Sequence, residues 1–320
     1  MDARRAQDLL KHITQDEDYG LKAMQKASLA ECISMVNNVL PECQKKAYED
    51  GNDNDAGFFS KMTENYRALI IDKIKEENLL WIAYTDLTGY PYMIDGDMIV
   101  IYDFAAAKQI EADLNKAGYR VTFGNVDKDA FKTEIAHMYR NGYKKIRFMD
   151  GKMEPFVVER EELYPYEEFF KDDYITNPGL QAAMLNYFQE FRKNTDKESI
   201  AQILDKRENN MLRVMVNSEY MVPCVKEETD AEVSIAHHFI DVTEQVTHKD
   251  GEQVIAIPAF TDGFEMDKCY KGQYENMLYS YKELVEAIEE LGASGAIFNP
   301  LGISYFIPLE TLKKIEKDFC

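Results

Sequence analysis

Two stretches of this chain repeat one another. Ile71-Asp72-Lys73-Ile74-Lys75-Glu76-Glu77-Asn78-Leu79-Leu80-Trp81-Ile82 recurs as Leu204-Asp205-Lys206-Arg207-Glu208-Asn209-Asn210-Met211-Leu212-Arg213-Val214. The spacing changes from 133 (Asp72 to Asp205) to 132 (Asn78 to Asn210), as one deletion between a helix and a following strand would produce. Self-similarity at a fixed period constrains a fold more than any short motif, because each copy must form one supersecondary unit. The expectation is an α/β chain of mixed sheets with packed helices, built by tandem duplication.

A length of 320 residues allows two such units and one more segment. Residues 1–60 read as that segment, helical and polar, with Leu21, Met24, Leu29, Ile33, Val36 and Leu40 forming a stripe that Pro41 interrupts. The run Glu49–Gly57 reads as a solvated linker, and its EF-hand-like composition lacks the glutamate that calcium requires. Residues 61–170 are then the first unit and residues 171–320 the second, entered through a helical connector.

Within the first unit a helix is expected over 63–77, then strands at 79–84 and 98–101. Asp95-Gly96 is a hairpin signal. A helix over 104–117 stops at Gly118, and strands at 119–123 and 145–149 follow. Asn177-Pro178 opens a helix, and Thr195-Asp196-Lys197-Glu198 reads as a capping box. In the second unit, 211–216 and 220–225 are expected to form a hairpin. A second hairpin is expected from 246–248 and 254–257 across Lys249-Asp250-Gly251. The helix from Ser280 and a parallel pair of strands at 254–258 and 296–298 complete that unit.

Three separated elements, Ile257-Pro258-Ala259-Phe260-Thr261-Asp262, the helix Ser280–Leu291, and Phe298-Asn299-Pro300-Leu301-Gly302, resemble in that order the N-terminal domain of the SseB (enhanced serine sensitivity) family. The resemblance covers about 254–319. It implies a binding or regulatory module with no accepted catalytic mechanism. The first unit resembles a degenerate copy, with Tyr102 and Asp103 near the place of Thr261 and Asp262, and Asp150 in that of Asn299.

Parallel strands joined by crossovers bring their carboxyl ends to one sheet edge, where open α/β sheets bind ligands. Thr261, Asp262, Asn299 and Pro300 are therefore the candidate ligand- or partner-binding residues, with Tyr102, Asp103 and Asp150 as counterparts. Each also has a plain structural reading, as helix cap or turn initiator. No P-loop, G-x-S-x-G, G-x-G-x-x-G or H-E-x-x-H occurs, so no catalytic residue is assigned. His237 and His238 with Asp241, Glu244 and His248 look metal-like, but neighbouring strand residues face opposite sides, so no metal and no cofactor is expected. Tyr84, Tyr90, Tyr92 and Trp81 are expected in the core.

A net charge of −21 repels phosphate backbones, which argues against nucleic acid and favours a basic protein partner. The N-terminus lacks the apolar core of a signal peptide, and no run is apolar enough to span a membrane. Five cysteines without a C-x-x-C pair fit reduced thiols in a cytoplasm. The reading is a non-catalytic, acidic, cytoplasmic protein that binds a protein partner. The alternative is a small-molecule or hydrolytic site at the edge holding Thr261, Asp262 and Asn299.

Overall fold

Four polar side chains cap helix starts within the first sixty residues. Asp2, Asp16, Ser28 and Asn52 each accept a hydrogen bond from a backbone N–H of the turn they precede. The structure, a computed structural model, describes residues 1–151, 154–171, 175–228, 233–246, 253–270 and 274–319. The N-terminal helices are α1 (Ala3–Gln15), α2 (Glu17–Lys26), α3 (Leu29–Ser34), α4 (Leu40–Glu49) and α5 (Asp53–Lys75). Pro41 does not end the helical run. One π-turn, Met35–Val39, joins α3 to α4, and the proline sits in the first turn of α4, where its missing N–H costs little. The supposed linker is mostly helix as well: only 50–52 turn, and Asn52 caps α5 ten residues earlier than the expected start at 63.

The first unit then runs β1 (Leu80–Thr85), β2 (Tyr90–Pro91), β3 (Met93–Ile94), β4 (Asp97–Ile101), α6 (Phe104–Lys116), β5 (Val121–Val126), α7 (Lys128–Asn141), β6 (Lys145–Met149), β7 (Phe156–Glu159) and α8 (Arg160–Leu163). Its strands lie in the order β5-β1-β4-β6-β7, with β2 added to β1 and β3 to β4. Only β4 and β6 are parallel. The β3–β4 turn places Asp95 and Gly96 at φ 54° and 91°, the left-handed pair a tight hairpin needs.

A connecting helix, α9 (Pro178–Arg192), carries the chain across. Gly142, left-handed at φ 75°, lets the end of α7 approach the carbonyl of Pro178, where any Cβ would collide. The second unit follows as α10 (Ala201–Val216), β8 (Glu219–Glu228), β9 (Val233–His237), β10 (Ile240–Asp241), β11 (Ile255–Ala259), α11 (Gly263–Cys269), β12 (Glu275–Ser280), α12 (Tyr281–Glu290), β13 (Gly295–Phe298), β14 (Tyr305–Pro308) and α13 (Leu309–Phe319).

Element by element, this order repeats the first unit from α5 onward. The pairings repeat too: β8 with β12 matches β1 with β5, β11 with β13 is the parallel pair, and β13 with β14 matches β6 with β7. One difference is a split. Among the described residues, strand β8 meets the β11 side through the single bridge Met221–Phe260, and the second sheet divides into β12-β8-β9 and β10-β11-β13-β14.

The sequence repeat itself does not lie in the matching register. Leu80 and Glu219 open the equivalent strands, a spacing of 139 (219 minus 80) rather than 133 or 132. The residues expected as strand 211–216 are the last turns of α10, because Met211 and Met215, four apart and fully buried, form a helical stripe and not an alternation. The box at Thr195 caps no α-helix: a 3-10 turn, Glu198–Ile200, precedes α10. The hairpin expected across 246–257 falls partly outside the described residues, and β11 pairs instead with β10.

The largest hydrophobic core joins the N-terminal helices to α9 and to both units, with smaller clusters beside it. It runs from Leu9 and Ile13 of α1, through Tyr66 of α5, Phe148 of β6 and Leu180, Met184 and Phe188 of α9, to Phe298 of β13 and Ile315 of α13. Among the described residues, no helix is long and apolar enough to cross a membrane.

Candidate functional site at the seam between the units

Strands β11 and β13 are parallel, as expected, and their carboxyl ends bring Thr261 and Asn299 together. Asn299 takes a left-handed turn at φ 45°, which asparagine tolerates better than most residues. Its Oδ1 accepts the backbone N–H of Thr261 at 3.1 Å. Its Nδ2 donates to Thr261 Oγ1 and to Gln181 Oε1, both at 2.9 Å. Gln181 belongs to α9, so this asparagine ties the edge to the connector between the units.

Asp262 heads α11 and accepts the N–H of Glu265 at 3.0 Å, an ordinary helix cap. Its surroundings are less ordinary. Arg140, in the last turn of α7 in the first unit, reaches both Asp262 Oδ1 and Glu265 Oε1 at 3.3 Å. Glu265 also accepts from Tyr90 of β2 at 2.8 Å and from Lys268 at 2.7 and 2.9 Å. The ring of Phe264 lies 4.1 Å from the Arg140 guanidinium. Burial raises the Asp262 carboxyl above its ordinary range, against the pull of Arg140. Burial, then the charge of Glu265, pushes the Tyr90 phenol up.

The expected open rim is therefore closed. Thr261, Asp262, Glu265 and Asn299 are each at most 1% exposed, sealed by residues of the first unit and of α9. Pro300 is half-buried beside them, and the next residue, Leu301, is the exposed tip. With these side chains bonded to one another, neither a ligand nor a partner reaches Thr261, Asp262 or Asn299 while the units stay docked. The physical reason is packing: the second unit's edge is the surface against which α7 and β2 of the first unit and α9 dock.

The counterparts behave differently. Asp103 caps α6 through the N–H of Ala106 at 2.8 Å, yet it is exposed. Tyr102 and Asp150 are half-buried, and burial, then the charges of Asp150 and Asp103, raise the Tyr102 phenol. These three residues do come together, on an edge that faces solvent.

His237 and His238 diverge as adjacent strand residues should. His237 Nε2 lies 2.7 Å from the Tyr279 hydroxyl, whereas His238 packs edge-on against Tyr274. His248 lies outside the described residues. Of the aromatic cluster, Tyr90 and Tyr92 are buried, while Tyr84 and Trp81 are only partly so.

Sequence reasoning missed Arg140, Gln181 and Glu265, and it placed Tyr90 in the core without its bond to Glu265. Arg140 stands before Asn141-Gly142 and looks like any base in a helix's last turn. The one usable signal was Gly263-Phe264-Glu265 after Asp262, which continues a cap into a helix. Beside the seam, α7, the β1–β2 loop and α11 enclose an open cleft of about 440 Å³. No family model, no curated protein and no solved structure matches the chain.

Proposed function

We propose that the chain is a non-catalytic, acidic binding or regulatory protein of the SseB type, acting in the cytoplasm and engaging a basic protein partner. The observation that carries this reading is the closed seam. The polar side chains at the carboxyl ends of β11 and β13 are buried in the seam, where they bond to one another and to Arg140, Tyr90 and Gln181. A hydrolytic or small-molecule site built on Thr261, Asp262 and Asn299 would need the units to separate, exposing a shared core.

Charge supports the choice of partner. A field of −21 concentrates cations and accelerates capture of a basic protein. The thiols support the compartment: among the described residues, Cys32, Cys43, Cys224 and Cys269 form no disulfide. The test is affinity capture with the tagged full chain, followed by association kinetics of the recovered protein across a salt series. The expected partner is basic, and its association rate falls roughly tenfold or more as salt rises. A rate indifferent to salt, or recovery of no basic protein, overturns the reading.

A further inference from the structure

A larger cleft, of about 780 Å³, lies where the β3–β4 turn and the α7–β6 corner of the first unit meet α9 and α10. Its charge is opposite to that of the chain. Among the described residues, Lys144, Lys206 and Arg207 line it against a single carboxylate, Asp95, in a protein of net charge −21. Helical spacing puts the cations there. Gln202, Lys206 and Asn210 are four apart and share one face of α10, with Ile203 and Arg207 on the next row. Glu208 of the same helix lines a different hollow, beside Lys314 and Phe319 of α13.

Two of the cations are uncommitted and the third is held in place. Among the described residues, neither the Lys144 nor the Lys206 ammonium has an ion-pair or hydrogen-bond partner. Arg207 donates through Nη1 to the backbone carbonyl of Asn186 at 2.7 Å and lies 3.4 Å from Glu190 Oε1, its side chain 28% exposed. Glu190 does not cancel it. That buried carboxylate already pairs with Lys193 at 2.6 Å, so two cations share one negative charge and an excess positive charge remains at the wall of the cleft. A cleft lined by one sign of charge focuses the field, so this one attracts anions although the surface around it repels them. The rest of the lining is apolar. Ala182 and Ala183 leave room on α9, and Ile203 is 46% exposed. Small-molecule sites of about 300–1,000 Å³ combine such a wall with a few convergent polar groups.

We propose that this cleft binds a small phosphate monoester. Lys144, Lys206 and Arg207 hold the phosphate, Gln202 and Asn210 donate amide N–H groups, and Ile203 packs on the organic part. A phosphate monoester carries about two negative charges at neutral pH and three outward acceptor oxygens, which suits cations converging from two elements. The proposal does not rest on the partner reading, which concerns a ligand of the opposite charge.

The test is calorimetric titration of the full chain, at fixed ionic strength, with AMP and glycerol phosphate, against adenosine and glycerol as uncharged controls. Saturable binding of at least one phosphate and of neither control is expected. It weakens tenfold or more in Lys206→Gln and is unchanged in Lys22→Gln, which removes the same charge from the exposed face of α2. Both lysines are exposed, so both variants keep the fold, and a circular-dichroism melt confirms it. Failure of both phosphates to bind at millimolar concentration, or controls that bind as tightly, overturns the site. So does a Lys206→Gln variant of unchanged affinity, or equal weakening in the two variants, which would trace binding to net charge alone. Succinate binding as tightly as the better phosphate would reduce the cleft to a site for any dianion and overturn the phosphate assignment.

Discussion

Asp103 and Asp262 hold the same position in the two units and perform the same local task. Each follows the central strand and caps the next helix, at 2.8 and 3.0 Å. Asp103 faces water, whereas Asp262 is sealed opposite Arg140 of the other unit. The comparison teaches that one topological position can be a replaceable surface cap in one copy and a fastening point in the other. Which it becomes depends on what docks against the edge, not on the motif.

The largest way to break the comparison is to remove the cation that only the second edge has. Arg140→Met leaves Asp262 buried without its ion-pair partner and removes one of Glu265's, and should cost about 3–5 kcal/mol in denaturant unfolding. A loss under about 1 kcal/mol would mean that water reaches the seam and that the edge is not closed. Next comes Asn299→Ala. It orphans the Thr261 N–H and the Gln181 carbonyl oxygen, so a loss of about 3 kcal/mol is expected from the same unfolding curves. Asp150→Ala, its counterpart in the first unit, should cost under about 1 kcal/mol. Equal losses in the pair would erase the distinction between the edges.

Much of the architecture was legible because local chemistry dictated it. Asp95-Gly96 specified a hairpin, Ser280 and Glu283 formed the box that starts α12, and Gly118, Gly142 and Gly292 ended helices in left-handed turns. The parallel pair β11–β13 followed from the crossover between them. The failures were of two kinds. Residues 211–216 were misread because six residues seen alone cannot separate period two from a helix end, and the apparent repeat lent them a strand. Element order and strand pairing nevertheless repeat between the units, although the matching letters do not lie in that register. The seam was not legible at all. Arg140 and Asp262 stand 122 residues apart, and nothing local distinguishes an arginine that will be buried from one that points to water.

A smaller effect tests the first edge directly. Asp103→Ala removes only a cap, so about 1 kcal/mol should be lost, and Asp103→Asn should be nearly silent because asparagine caps as well. Asp262→Asn also keeps its cap and removes only the charge, which makes pH the finest probe of the difference between the edges. The fold raises the Asp262 carboxyl above its ordinary aspartate value of 3.8, chiefly through burial. A carboxyl raised in the folded state binds its proton more tightly there than in the unfolded chain. Its contribution is therefore fully present below the ordinary aspartate value and is lost as pH rises through the folded value. The stability of the unaltered chain, measured relative to Asp262→Asn, should accordingly increase as pH falls from neutrality through that window. A difference that shrinks toward acid would mean that attraction to Arg140 outweighs the desolvation of the carboxylate. The seam would then be held by its ion pair rather than merely tolerating it, and Asp262 would differ from Asp103 by a net gain and not by a buried liability.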